Sequence, residues 1–499
     1  MREDSKLTSV IIQSTLCFSL LVYVSLFNVS GYESYKDYYT ILQYLSIVSI
    51  VVFFITNKYK LISPYTFLMA FSYLYNCGQV WLLLFGIELS YSSFTIDRYT
   101  YQNLADALSY FLLAVNFIHL FGLLSIKRNN LRNTDDERND ITATAVSKDD
   151  RSENLALKYT GFAILVLCMV LLTYNDLVQI LTASQYGYTV AYTIGRDNKL
   201  IYALINLFPL SVIILMVTAQ TTKVKNLVFW YAIIRSIALM LLVGNRGQYI
   251  ALICTIFLLR TYLKPKIEKM RILRYVVGGF GLIFIASYVA AIRNSPSLSL
   301  SPEFIIDFII NKNAVVALLQ ELGGTFVNTI LVMNYSPNEL PYGMGISFLG
   351  SFISFIPLAS KLFPEMILYN DVGSMLNQYF HKGYGLGGSF LAELYYNFGW
   401  YSLIATPIIG ALFGRLFSIY EDNKTFLKQS SLKIVIITYT FYAMLMYIRG
   451  NFYTITTYMR YLVYALICYY VILTLINTRT INWKTNTKGV DKGCDHSNY

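Results

Sequence analysis

The chain of 499 residues is 56% hydrophobic, 16% aromatic and only 13% charged, with a mean hydropathy of +0.50. An ordinary soluble domain carries about 25% charged residues, so a string of soluble domains, a disordered chain and a fibrous repeat are all excluded. The net charge of +11 sits mostly in short loops, where bases orient membrane helices. No basic stripe interleaved with aromatics lies on a polar domain, so nucleic acid is set aside as a partner.

Apolar runs long enough to cross about 30 Å of hydrocarbon recur along the chain. They predict an all-α polytopic membrane protein with twelve spans: 8–28, 39–57, 62–87, 104–126, 156–174, 200–220, 226–245, 247–263, 273–292, 389–419, 432–449 and 453–475. Strands are excluded because lipid offers no partner to open backbone. The first run follows the charged Arg2–Lys6 stretch, is too long for a signal-peptide core and precedes no small-residue cleavage site, so it reads as a retained helix.

With the N-terminus in the cytoplasm, Lys58, Lys60, the group Lys127–Lys158, Lys223, Lys225, the group Arg260–Arg274, Arg415, Lys424, Lys428, Lys433 and the tail all face inward. Both ends are then cytoplasmic. The expected organisation is nine spans over 1–292 with a polar cytoplasmic loop at 127–155, an outer loop at 293–388, three spans over 389–475 and a tail at 476–499. The polar loop is too poor in apolar groups to pack.

The outer loop contains a helix start at Ser301-Pro302-Glu303, with a cap, a first-turn proline and an acid at the positive end. The apolar residues that follow, FIIDFIINKNAVVALLQEL, have a helical period and suit the membrane interface. A second stretch, GISFLGSFISFIPLASKLF, is broken by Gly350 and Pro357. If it spanned, the later bases would face outward, so it reads as interfacial or re-entrant.

Charge at membrane depth is expensive and is a functional hypothesis by default. Arg246, Arg293, Arg449 and Arg460 fall toward the outer end on this topology, and Arg235 lies mid-span. Arg235 and Arg246 share a face if their helix is unbroken. A guanidinium is permanently charged, and its fork matches phosphate oxygens, so the group suits a pyrophosphate. Each arginine alone has the simpler reading of reaching to lipid phosphates or pairing with a carboxylate.

The segment 378–403 is the densest in chemistry. It holds His381 and Lys382, glycines at 383, 385, 387 and 388, and Glu393 with Asn397 four residues on. Glu393 or His381 is the candidate general base for a sugar hydroxyl. The simpler alternative is a glycine turn with Glu393 as a structural partner of an arginine. Tyr379, Tyr384 and Tyr453 are among the outer tyrosines whose rings suit stacking on sugars. His119 reads as packed, and the six cysteines, with no CxxC, as small hydrophobes. No His/Cys/Asp cluster has metal-ligand spacing, so neither a metal nor a cofactor is expected.

The chain resembles Wzy-type O-antigen or oligosaccharide repeat-unit polymerases. The resemblance rests on LLVGNRGQYIAL at 241–252, on GLGGSFLAELYYNFGWYSLIATPIIGALFGRL at 385–416 and on the plan of about a dozen spans with one large outer loop. It implies a glycosyltransferase C-like helical fold without metal. The implied reaction joins undecaprenyl-pyrophosphate-linked units at the periplasmic face of the inner membrane. Arg246, then Arg293 and Arg449, would contact the pyrophosphate, Glu393 would match the family's acid, and a chain-length regulator would be a partner. A flippase for the same lipid-linked sugar and an O-antigen ligase are the rival readings. The single large outer loop and the missing repeat argue against a flippase, which alternates access between similar halves.

Overall fold

The computed structural model describes residues 2–30, 34–57, 61–89, 94–126, 148–186, 206–244, 247–263, 313–356, 359–364, 366, 371–379, 387–420 and 426–490, with single positions at 278, 281, 285, 288, 303 and 306. Among the described residues every regular element is a helix. The long helices are α1 (Arg2–Ser30), α2 (Tyr35–Thr56), α3 (Pro64–Leu84), α4 (Tyr101–Ser125) and α5 (Lys148–Tyr186). They are followed by α6 (Phe208–Thr218), α7 (Thr222–Val243) and α8 (Gly247–Tyr262), then by the short α9 (Ala314–Gly323), α10 (Phe326–Tyr335), α11 (Ile346–Ile353), α12 (Ala359–Leu362) and α13 (Val372–Tyr379). The chain continues through α14 (Phe390–Phe398), α15 (Ala405–Leu416), α16 (Ser431–Ile448) and α17 (Phe452–Val490).

Local chemistry sets the helix starts. Ser34, Ser63, Thr100, Thr221 and Ser430 each accept a backbone N–H three residues on, which satisfies one of the orphan donors of a first turn. Helix α7 stops at Val243 because Gly244 takes a left-handed conformation (φ 86°) and returns its N–H to Met240, a helix end that glycine adopts without steric cost.

Ten helical runs among the described residues are long and apolar enough to cross a membrane. Nine coincide with expected spans. Of the other three expected spans, 200–220 and 247–263 contain the shorter apolar helices Phe208–Thr218 and Gly247–Tyr262, and 273–292 lies almost wholly outside the described residues. The tenth run is Val315–Tyr335, where sequence analysis places an interfacial helix. The run is long and apolar enough to cross a membrane, and in the structure it packs into the bundle. The glycines of α3 and α9 meet here, since a Cβ on Gly78 would strike the Leu319 carbonyl and one on Gly323 the Gln79 amide. Gln79 donates to the carbonyls of Gln320 (2.6 Å) and Phe94 (2.9 Å), so α9 is tied into the bundle. The Gly323-Gly324-Thr325 interruption is what hides the run from a hydropathy reading.

Helix α4 is the axis, with 83% of its apolar window buried, against 22% for α17 at the rim. Gly410 and Gly414 of α15 lie one turn apart against it. A Cβ on the first would strike the Ile118 carbonyl, and one on the second the Ser125 hydroxyl. Small residues at this spacing let membrane helices pack backbone to backbone. His119 is fully buried on α4, between Thr56 Oγ1 (2.9 Å) and the Tyr65 hydroxyl (3.0 Å) and beside the Phe53 ring. It is a packed residue, as its apolar context indicates. This rigid centre carries α14 and α15 as one strand of chain and so places the densest sequence segment.

Candidate functional site

Three segments distant in sequence press together where α14 begins. Gly388 lies against the turn between α16 and α17, and a Cβ there would come within 2.6 Å of the Gly450 carbonyl carbon and 2.7 Å of Asn451 Oδ1. Gly373, in the first turn of α13, faces the Gly387 carbonyl, leaving no room for a side chain. The glycines expected to let backbone approach a ligand therefore bring backbone to backbone. Asp371 crosses this junction. Its carboxylate accepts from Asn451 Nδ2, from the Ser374 N–H (3.2 Å) and from the Ser374 hydroxyl (2.7 Å). It remains half-buried, while Arg449, next to Gly450, is exposed, its guanidinium 6.0 Å from the Tyr75 ring centre.

Glu393 stands one turn behind the glycines and is 0% exposed. One carboxylate oxygen accepts from the Ser347 hydroxyl (2.8 Å) and the other from the Phe452 N–H (2.6 Å). The acid thus sits at the N-terminal ends of both α11 and α17, where the unpaired amides favour negative charge. Asn397 completes the network, donating to Ser347 Oγ (2.8 Å) and to the Glu393 carbonyl (2.8 Å). It also accepts the Gly345 N–H (3.0 Å) on its side-chain oxygen. The N–H groups of Gly343 and Met344 donate to the last carbonyls of α14, those of Tyr396 (2.9 Å) and Asn397 (3.0 Å).

Glu393, read from the sequence as a general base or as the partner of an arginine, is fully enclosed. One serine hydroxyl and one helix-end amide occupy its two oxygens, because Ser347 and Phe452 converge on it from helices that the sequence does not place nearby. Nor is it the partner of an arginine. Among the described residues neither Glu393 nor Arg460 forms an ion pair. Arg460 donates to the Ser354 carbonyl (2.7 Å), at the C-terminal end of α11, and lies 5.7 Å from the Tyr461 ring centre.

Arg235 takes the simpler of its two readings, a pair with a carboxylate. Its guanidinium closes on Asp176 of α5 with two hydrogen bonds, Nε to Oδ2 at 2.8 Å and Nη2 to Oδ1 at 2.7 Å, and lies 4.7 Å from the Phe208 ring centre. A bidentate carboxylate answers the fork that a phosphate would need. The shared face with Arg246 does not arise either, because Gly244 ends the helix between them. Arg246, Arg293, His381 and Lys382 lie outside the described residues.

The junction adds three residues that sequence analysis passed over: Asp371, Ser347 and Asn451. Asp371 carries a signal, since an acid three residues before Ser374 is a helix-capping pattern. Ser347 and Asn451 carry none, being ordinary polar residues beside apolar runs. Tyr379, outside the membrane-spanning segments, donates to Glu339 Oε2 (3.1 Å), and that carboxylate holds its phenol above the usual pKa.

A family model described as O-antigen polysaccharide polymerase Wzy matches residues 9–479, nearly the whole chain. No curated protein and no solved structure matches. The chain belongs to the Wzy family. It is a multi-pass membrane protein whose activity is the glycosyltransferase-type polymerisation of polysaccharide repeat units.

Proposed function

We propose that this Wzy-family protein joins undecaprenyl-pyrophosphate-linked oligosaccharide units at the periplasmic face of a bacterial inner membrane, at the junction of α13, α14 and the α16–α17 turn. The observation that carries the reading is that the turn bearing the exposed Arg449 is held to the segment bearing the half-buried Asp371, through Gly388 against Gly450 and through Asn451, which donates to the Asp371 carboxylate.

The acceptor hydroxyl attacks the anomeric carbon of the donor chain. The bond from that carbon to the diphosphate oxygen breaks, and the diphosphate leaves with the electron pair. Charge grows on the leaving group, and a fixed cation lowers the energy of that state more than of the ground state. Arg449 supplies one such cation, and Arg246 and Arg293 are proposed to supply others, with Lys382 beside them. The hydroxyl proton passes to Asp371, which is half-buried where Glu393 is fully enclosed, or to His381. A single displacement inverts the anomeric centre. The transfer is independent of metal because the positive charge is built into side chains. Membrane lipids surround the helices, and a chain-length regulator is proposed as a partner.

The test uses purified protein with lipid-linked repeat units. A ladder of products, unchanged by EDTA and lost when Arg449 is replaced by alanine, is the expected result. Single units only from the wild-type protein would overturn the reading.

A further inference from the structure

Helix α11 is built inside out for water. Its buried face is Ser347, Gly350 and Ser351, followed by Ser354. Its exposed face is Leu349, Phe352 (56% exposed) and, just beyond, Ile356. An apolar outer face with serines inward is the pattern of a helix lying in hydrocarbon, where inward polar groups must find partners. The partners are specific. Ser351 and Ser354 donate to the carbonyls of Ser347 (2.7 Å) and Ser351 (2.5 Å). At one end Ser347 donates to Glu393, and at the other Arg460 donates to the Ser354 carbonyl. An acid thus stands at the positive end of the helix dipole and a base at the negative end, the arrangement that stabilises both charge and helix.

We infer that Glu393 and Arg460 are positioning residues that bracket α11 between them and, through the Phe452 N–H, hold the turn carrying Arg449. The inference rests on the proposed site at that turn. Glu393 is the hinge of the bracket, since its carboxylate joins α11 and α17 at once and its own helix carries Gly388 at its entrance. Arg460 closes the far end from α17. Neither group needs to touch the sugar or the diphosphate. The apolar face of α11 then has one occupant, the acyl chains of the surrounding membrane.

The experiment is a double-mutant cycle on the full-length protein in lipid vesicles, with kcat and KM for a lipid-linked repeat unit followed against pH. Glu393→Gln and Arg460→Met are each expected to lower kcat roughly tenfold with the shape of the pH profile retained, a loss that coupled residues share rather than multiply. Arg460→Lys, which keeps a donor at the Ser354 carbonyl, is expected to recover activity to within about threefold of wild type. A thiol at Leu349→Cys, with Cys468 and Cys494 replaced by serine, reports α11 directly. Its reaction with a water-soluble maleimide is expected to quicken about tenfold in either variant as the helix is released.

A loss of 10²-fold or more in Glu393→Gln with the pH dependence abolished would make Glu393 the base and overturn the bracket. So would a double variant whose losses multiply, or an unchanged thiol rate. If Arg460→Met yields no folded protein, Ser347→Ala takes its place in the cycle, with an expected loss of about threefold in kcat that is shared with Glu393→Gln rather than multiplied, a quickened thiol reaction, and the same overturning outcomes. Retention of activity by Arg449→Ala would instead remove the site at the turn, while the thiol rates would still decide the bracket.

Discussion

Two charged sites within the helix bundle are built in opposite ways. On the α5–α7 side, Arg235 and Asp176 satisfy each other, with their side chains only 10% and 17% exposed. On the α14–α17 side, Glu393 and Arg460 answer helix ends and serines instead, and the exposed Arg449 stands on the turn that Glu393 caps. A closed pair locks two helices and leaves no charge for a ligand. Charges held by helix ends carry position from one element to the next, and leave a neighbouring cation open.

The largest effects should fall on the open side. Arg449→Ala and Asp371→Asn are each expected to reduce polymerisation by about 10²-fold or more, the range for loss of a charge-stabilising or proton-accepting group, with single-unit product and protein level retained on gels. An equal loss in folded Arg235→Met protein would erase the distinction between the two sides. Next comes Asp176→Leu, which strands the Arg235 charge. It should lower stability by about 2–3 kcal/mol, and Arg235→Leu in the same chain should restore most of it. Thermal unfolding in detergent checks both, while turnover of the folded fraction stays at the wild-type value.

Gly388→Ala is a smaller change at the junction. Its new methyl meets Gly450 and Asn451, and displacing the turn should cost roughly tenfold in kcat through misplacement and about 1–3 kcal/mol in stability from the overpacking. The mildest variant is Ser347→Ala. Glu393 keeps the Phe452 N–H, so one neutral hydrogen bond is lost and kcat should fall about threefold. A loss as large as that of Arg449→Ala would show that the Ser347 hydroxyl does more than hold the acid.

Much of this was legible without the fold. Nine spans were readable because hydropathy is a local sum over about 20 residues. The one helix start read from the sequence, Ser301-Pro302-Glu303, lies outside the described residues except for Glu303, while the caps at Ser389 and Ser430 came from the structure. The glycines at 387 and 388 and the acid at 393 marked the segment where α13, α14 and the α16–α17 turn meet. Their use was not legible: the sequence left the acid as a proton acceptor or an arginine's partner, whereas the fold sets Gly387 and Gly388 against backbone and Glu393 against two helix ends. Val315–Tyr335 was read as interfacial, and its packing of Gly323 against Gly78 and Gln79 was not legible in the sequence.

The sequence by itself determined the membrane class, the helical architecture and the family, because the cost of exposing polar backbone to hydrocarbon leaves little choice once the apolar runs are set. Only the tertiary structure decided which charge answers which partner. Asp176 lies 59 positions from Arg235, Ser354 lies 106 from Arg460, and Phe452 lies 59 from Glu393. Such pairings depend on which helices can approach closely, and small residues such as Gly388 and Gly410 set that distance through contacts no linear pattern records.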